Sequence, residues 1–399
     1  MSIDDNFCSF SVSSAFSMSD NYFSFSLPRA VPNVQRAVAL VGIVIIFVYY
    51  CLLHKRGSSE TNSSDPSLQV GRNVELSLSG GVSFGSDIQG ARCFALEELN
   101  LATKNFSEIN LIGFGTFGGV YKGLLQDGMI VAIKRRVAAP SRDFTEEVRY
   151  LSSIRHRNLV SLLGYCQEEN LQMLIYDYIP NGTVSTHLYG TGPASSERFE
   201  FKHRLSIAHG AAKGLGHLHS LNPPLIHRNF KTVNCHVDED FIPKVGDAGL
   251  RSLLARIDGS ASSSRILTDD IFVDPQVKES GRFSVKSDVY SFGVFLLELV
   301  SGREAKSDPS IIEWAQNYRE SSKISTVVDH KMGSSFTSEG MKEFLRLISW
   351  CLHPSGERRP PMNYVGLELE RIHDKEMSLT TIMGEGTTTV TLGSQLFTS

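Results

Sequence analysis

A glycine-rich segment and the strand predicted after it could together hold phosphate groups. Three glycines in IGFGTFGGVYKG have the spacing G-x-G-x-x-G, and a valine follows them: Gly113, Gly115, Gly118 and Val120. Glycine lets the backbone approach phosphate oxygens closely, although glycine-rich hairpin turns without a ligand look similar. The next segment, MIVAIKRR, alternates like a strand, which puts Ala132 and Lys134 on one face. A lysine beside a small residue fits a site for a planar base and its phosphates.

An amphipathic helix is predicted in the segment RDFTEEVRYLSSIRHRNLV. Phe144, Glu147 and Leu151 are spaced i, i+3 and i+7, so they share one helical face. A glutamate on that face suits an ion pair with a buried lysine, and we expect Glu147 to pair with Lys134. The alternative is a solvated charge at the edge of the apolar stripe, which is the interpretation we give to Glu146.

The segments together resemble the protein kinase family, specifically the plant receptor-like kinases. The matches are IGFGTFGGVYKG, VAIK, HRNLVSLLGYC, LIYDYIPNGT, HRNFKTVN, KSDVYSFGVFLLELVSGR and CLHPSGERRPPM, in family order. The resemblance implies an α+β, bilobal protein kinase fold over residues 92–375. A β-rich N-lobe would extend to about residue 179, and an α-helical C-lobe would follow. It also implies Tyr176 as gatekeeper and a hinge near Asp177 and Tyr178, with Asp177 and Ile179 beside the nucleotide.

The resemblance assigns roles to five polar residues of the implied nucleotide site. Lys134 would contact phosphate, Glu147 would anchor Lys134, and Lys231 would contact the γ-phosphate. Asn234 and Asp247 would bind Mg²⁺, for which amide and carboxylate oxygens are suitable ligands. ATP and Mg²⁺ are therefore the expected candidate cofactors. The alternative is a residual ion-pair network that only stabilises the lobes.

Two departures from the family pattern affect the catalytic loop and the base pocket. The loop reads HRN, so Asn229 stands where an aspartate accepts the proton of the substrate hydroxyl. An amide oxygen can orient a hydroxyl but has no useful basicity near neutral pH. His236 stands where the family has the leucine that forms the floor of the adenine pocket.

Two further departures affect alignment and the substrate seat. DAG replaces DFG, so Ala248 lacks the ring that packs between the helix of Glu147 and the loop of His227. Asp269 replaces a threonine that helps to seat the substrate, and Gln276 replaces a glutamate that pairs with a C-lobe arginine. Because the four changes affect base, pocket, alignment and seat, we predict a folded but inactive kinase domain.

The uncharged run AVALVGIVIIFVYYCLL, residues 37–53, has about the minimum length for crossing a bilayer. A signal peptide would normally begin nearer the N-terminus, and a buried helix would show a polar stripe. We therefore predict a single transmembrane helix, with the Ser/Phe-rich residues 1–36 extracytoplasmic and 54–91 a juxtamembrane linker. The kinase-like domain would then be cytoplasmic at the plasma membrane. Residues 376–399 are predicted to be a disordered tail.

The bulk composition restricts the classes of partner. A net charge of −4 gives no reason to expect nucleic acid. Six widely spaced cysteines without a CxxC pair predict neither a structural metal nor a disulfide framework. The segment GSASSSR, with Ser260, Ser262 and Arg265, is either a phosphorylatable loop or an inert polar one.

The sequence thus predicts a membrane-anchored receptor-like pseudokinase, a signalling scaffold or allosteric partner of active receptor kinases. The alternative is a low-activity Ser/Thr kinase that transfers the γ-phosphate of ATP to proteins. A third hypothesis is a soluble kinase-like adaptor, if residues 37–53 do not span a membrane.

Overall fold

The computed structural model describes residues 90–190, 199–259, 270–319, 322–333 and 336–383. The predicted membrane anchor at 37–53 lies outside these ranges, as do Asp269 and the serine-rich segment from Ser260 to Arg265. Within them, no helix has the length and apolar character needed to cross a membrane.

The N-lobe is a six-stranded sheet with two helices. Its strands are β1 Arg92–Cys93, β2 Leu111–Gly115, β3 Gly118–Leu124, β4 Ile130–Val137, β5 Leu162–Glu168 and β6 Leu171–Asp177. Their order across the sheet is β1-β5-β6-β4-β3-β2, and neighbours are antiparallel except for β1 and β5. The two helices are α1 Leu96–Thr103 and α2 Arg142–Ser153.

Two predicted patterns of the N-lobe are confirmed. In β4, Val131 and Ile133 are fully buried, while the alternate residues Ala132 and Lys134 are half-buried on the other face. In α2, Phe144, Glu147, Val148 and Leu151 are buried along one face, and the Ser141 hydroxyl caps its first turn. The sheet therefore presents Lys134 to the side of the lobe that α2 and the following lobe approach.

The C-lobe is mainly helical, with a small hairpin of β7 Cys235–Val237 and β8 Pro243–Val245. Its helices are α3 Val184–Tyr189, α4 Phe201–Ser220, α5 Leu250–Ile257, α6 Pro275–Ser280, α7 Val285–Ser301, α8 Ser310–Gln316, α9 Ser338–Cys351 and α10 Met362–Met383. Nearly all of α7 is buried, which explains its continuous apolar sequence VYSFGVFLLELV. The resulting two-lobed architecture confirms the predicted bilobal kinase fold.

The last helix corrects one sequence prediction. We expected residues from 376 onward to be disordered, but α10 continues through Met383. Glu376 is buried, and its carboxylate accepts hydrogen bonds from the backbone N–H and the hydroxyl of Thr337. Because this long-range contact orders the helix, the tail prediction is wrong for residues 376–383.

A C-lobe arginine forms a buried ion pair, although Gln276 replaces the glutamate that is its partner in the family pattern. Arg359 is 1% exposed and forms two hydrogen bonds with the carboxylate of Asp274, one of them 2.9 Å long. The guanidinium also donates to the carbonyl oxygens of His353 and Lys286 at 2.8 and 3.0 Å. Gln276 instead accepts a hydrogen bond from the Gly356 N–H at 3.1 Å. The C-lobe arginine therefore keeps a carboxylate partner without the family's glutamate.

We expect Arg359→Ala to lower the free energy of unfolding by about 3–5 kcal/mol, because it leaves the buried Asp274 carboxylate without its partner. The measurement is urea unfolding followed by circular dichroism. The control is Arg358→Ala, which removes the neighbouring exposed arginine and should change stability by about 0.5 kcal/mol or less. Equal losses in the two variants would contradict this account of the ion pair.

Candidate functional site

A cleft of about 410 Å³ lies between the sheet of the N-lobe and the start of the C-lobe. Its volume is within the range of small-molecule sites. Ten of the residues predicted to bind nucleotide or metal line it: Gly113, Gly115, Val120, Ala132, Lys134, Asp177, Ile179, Asn234, His236 and Asp247. Four others, Gly118, Glu147, Asn229 and Lys231, do not line this cleft.

The glycine-rich loop is the turn between β2 and β3, and its glycines differ in function. Gly118 has φ +136°, and a side chain there would collide with the carbonyl oxygen of Arg135. It is therefore needed for the close packing of the hairpin on β4. Gly113 and Gly115 have open space at their Cβ positions, so they leave room over the cleft. Phe114 between them is 81% exposed.

The prediction of an ion pair between Lys134 and Glu147 is wrong, because each residue has another partner. Lys134 Nζ donates a hydrogen bond to Asp247 Oδ1 and lies 5.5 Å from the ring centre of Tyr176. Glu147 accepts a hydrogen bond from Arg256 Nη1 instead. Arg256 is in α5, whose first turn follows Asp247 directly, so the helix brings a competing cation to Glu147.

A second ion pair links the end of α5 to the N-lobe. Arg136 of β4 donates two hydrogen bonds of 2.8 Å to the carboxylate of Asp258. Sequence reasoning did not single out Arg136, Arg256 or Asp258. The segment LRSLLARID alternates apolar and charged residues as an amphipathic helix does, but that pattern does not identify the partners of its charges.

The position of the missing phenylalanine adjoins a cavity of about 20 Å³. Leu151, Leu162, Tyr176 and Ala248 are among the residues that line it. Leu151 also lies against Gly249, where any side chain would collide with its methyl group. Neighbouring side chains therefore fill most of the space beside Ala248. A void of this size holds about one water molecule, so an aromatic ring does not fit without movement of α2.

The catalytic loop keeps a defined conformation around Asn229. The backbone N–H of Asn229 donates a hydrogen bond of 3.3 Å to Nδ1 of His227, and the carbonyl oxygen of Asn229 accepts one of 2.8 Å from Asn234 Nδ2. The side-chain oxygen accepts a long hydrogen bond of 3.4 Å from Arg251 Nη2. Lys231 Nζ lies 3.2 Å from Asp270 Oδ2, so its charge is paired within the C-lobe.

The cleft floor at His236 is neutral at physiological pH. Burial lowers the pKa of the imidazole, the nearby Lys134 charge acts in the same direction, and Asp247 opposes both. The ring lies against the backbone of Gly246, where it leaves little room for a side chain. Burial also raises the pKa of the Tyr176 hydroxyl, so the gatekeeper is neutral as well.

Comparisons with known proteins agree with the fold and with the order of the sequence motifs. The family model for protein tyrosine and serine/threonine kinases matches residues 106–369. The chain belongs to the protein kinase family. It is 37% identical over 328 residues to the proline-rich receptor-like protein kinase PERK2 of Arabidopsis thaliana. That alignment covers 79% of this chain but 44% of PERK2, so the chain spans less than half of that relative.

Two further relatives resemble the kinase domain itself. The probable serine/threonine-protein kinase PBL21 of Arabidopsis thaliana is 36% identical over 70% of this chain and 76% of its own length. A solved structure of the pseudokinase domain of BIR2, described as an immune regulator of the RLK/Pelle family, has a TM-score of 0.59 and 29% identity. It covers 75% of this chain and 92% of the BIR2 chain. The recognised resemblance to plant receptor-like kinases is therefore confirmed.

We expect His236→Leu to bind a fluorescent ATP analogue about fivefold more tightly, because the base would no longer have to desolvate a polar ring. Protonation of His236 would place a charge beneath the base, so wild-type affinity should fall at acidic pH, and because burial lowers the pKa of this ring the fall should begin below the ordinary imidazole pKa of about 6.5. The measurement is fluorescence titration with Mg²⁺ at pH values from 7.5 to 5.5.

The leucine variant is also the control for this pH dependence, since it shares the titration of the nucleotide phosphates. Its affinity should change less than that of the wild type over the same range. Identical pH profiles in the two proteins would show that His236 does not determine the base contact.

Proposed function

We propose that this protein is a receptor-like pseudokinase that binds nucleotide without efficient phosphoryl transfer. The observation that carries the proposal is Asn229, held by hydrogen bonds at the position of the proton acceptor. General-base assistance typically contributes about 10²–10⁴ in rate. An ordered loop with an amide at this position can orient a hydroxyl but cannot take its proton.

The exchange of ion pairs supports the same conclusion. In an active kinase, a lysine of the third strand pairs with the glutamate of the helix that follows, and the DFG aspartate holds Mg²⁺. Here Asp247 is engaged by Lys134, while Glu147 is engaged by Arg256. The lysine–glutamate pair of an active kinase is therefore not formed in this arrangement, which supports low activity independently of Asn229.

The residues of the cleft fit ATP and Mg²⁺ as candidate cofactors. Lys134 and the glycine-rich loop line the cleft and would hold phosphate groups, and the small side chain of Ala132 would leave space for a base. Asn234 and Asp247 supply an amide and a carboxylate, which are ligand types that Mg²⁺ accepts. Bound Mg²⁺ would neutralise phosphate charge, and Asp247 would have to leave Lys134 to reach it.

We propose that the protein acts as a signalling scaffold or allosteric partner of active receptor kinases. Two similar proteins support this: PERK2 is a receptor-like kinase, and BIR2 is an immune regulator with a pseudokinase domain. The apolar run at 37–53 would anchor the chain in the plasma membrane, with the kinase domain cytoplasmic. Residues 54–91 would then be the linker.

A low-activity Ser/Thr kinase is the alternative, and one observation favours it. Lys231, Asn234 and Asp247 are all retained, and they could position and neutralise the γ-phosphate without a strong base. PBL21, which shares 36% identity, is named a probable serine/threonine-protein kinase.

We expect the purified full chain with labelled ATP and Mg²⁺ to transfer no phosphate above a Lys134→Met blank. Asn229→Asp alone should also stay at the blank, because the Lys134 to Glu147 pair would still be missing. Autophosphorylation and transfer to a generic basic protein are the two readouts. Wild-type transfer clearly above the blank would make the protein an enzyme, and activity of Asn229→Asp would show that only the base is missing.

Membrane anchoring has a separate test. A tagged full chain should sediment with membranes and resist extraction at high salt, whereas a deletion of residues 37–53 should be soluble. Scrambling residues 1–36 instead is the control and should leave the protein in the membrane fraction. A full chain in the soluble fraction would favour the kinase-like adaptor.

A further inference from the structure

A polar groove lies on the C-lobe, where α4 meets α10 and the loop before β5. Two adjoining cavities of about 380 Å³ each form it, and both are lined by His156, His209 and Lys213. We call it the α4 groove. Neither cavity contains a residue assigned to the nucleotide site.

One face of α4 supplies the length of the groove. Its residues recur at steps of three or four: His203, Ser206, His209, Lys213, His217 and Ser220. Side chains at this spacing lie above one another on a helix, and the stripe is about 25 Å long at 1.5 Å per residue. The stripe has one lysine, three histidines and no acidic residue, although the whole chain has a net charge of −4.

The positive and potentially positive groups lie close enough to affect one another. The rings of His156 and His217 stack with their centres 4.8 Å apart. Burial is the main cause that lowers the pKa of His156, and the charges of His217 and Lys213 lower it further. Burial and Lys213 likewise lower the pKa of His209, while Glu370 opposes them. Lys213 is therefore near both histidines, so an anion bound by Lys213 would also lie near their rings.

The hydrogen bonding of His156 leaves a donor for a ligand. Its Nδ1 accepts from the backbone N–H of Asn158 at 3.1 Å, so the proton of the neutral ring is on Nε2. Two acidic groups oppose an anion, since Glu370 lies 3.9 Å from His209 and Asp240 lines the second cavity. Two cations favour it: Lys213, which lines both cavities, and Arg157, which lines the second.

We propose that the α4 groove binds a phosphorylated peptide segment of a partner protein, with Lys213, His156 and His209 contacting the phosphate. A phosphoserine carries close to two negative charges and three acceptor oxygens, whereas a carboxylate carries one charge. Several separate donors around Lys213 match the phosphate better. The length of the stripe suits an extended peptide of about seven residues at 3.3 Å each. This site goes beyond the proposed scaffold function and needs no nucleotide.

The test uses the purified full chain without ATP and a fluorescein-labelled nine-residue Gly/Ala/Ser peptide with one central phosphoserine. Fluorescence anisotropy would compare it with the same peptide carrying serine or glutamate. We expect the phosphopeptide to bind about tenfold more tightly than either, because hydrogen bonds in which a partner is charged are stronger than those between neutral groups. Lys213→Gln should weaken phosphopeptide binding by about tenfold, and Glu370→Gln should strengthen it by about threefold.

The matched control is Lys278→Gln, which removes an exposed lysine that lines neither cavity. It should change phosphopeptide binding by less than about twofold. Thermal unfolding of each variant separates a binding loss from a folding loss. Equal binding of the serine peptide, equal binding of the glutamate peptide, or equal loss in the two lysine variants would each overturn the proposal. Since the titration contains no nucleotide, its failure is distinct from a failure of the pseudokinase assignment.

Discussion

One buried carboxylate, that of Asp288 on α7, holds the catalytic loop in place. It is 1% exposed and accepts hydrogen bonds from the backbone N–H groups of His227 and Arg228 at 2.7 and 2.9 Å. His219 Nε2 lies 2.9 Å from the same carboxylate. These bonds offset the cost of the positive φ of 65° at Arg228, typically about 1–3 kcal/mol for a residue in a sparsely populated region. The loop backbone is therefore held by contacts that do not involve the side chain of Asn229.

Among the described residues, some carboxylates are held by buried hydrogen bonds and others by exposed ion pairs. Arg359 with Asp274, and Asp288 with the catalytic loop, are buried and multiply hydrogen-bonded. Such pairs are costly to break. Arg256, in contrast, is half-exposed in its pair with Glu147, and exposed pairs contribute little to stability. The buried contacts of the C-lobe are therefore hard to exchange, whereas the pair of Glu147 with Arg256 is one that a ligand or partner could exchange. A ligand shifts such an equilibrium only by its difference in affinity for the two arrangements.

Periodicity and motif order were sufficient to predict the fold, the face of β4 that carries Lys134 and the buried face of α2. They predicted these features because alternation and helical spacing report which side of an element meets the core. They did not predict the partners of Lys134 and Glu147, since each of these long side chains has more than one opposite charge within reach. The pair of Asp274 with Arg359 was missed for a related reason: the motif points to position 276 as the partner of the arginine, and spacing alone does not show which nearby carboxylate the arginine contacts.

The α4 groove and the nucleotide cleft differ in how much of the molecule must move for a ligand to bind. The inner face of α4 packs into the C-lobe core through Leu205, Ala208 and Leu215, all fully buried. Its outer face is therefore presented by a helix that is already ordered, and ligand binding there has little backbone ordering to oppose it. In the cleft, the hydrogen bond between Lys134 and Asp247 would have to break before Asp247 could reach a metal ion. The outer face of α4 is therefore the surface where binding needs less rearrangement than in the cleft.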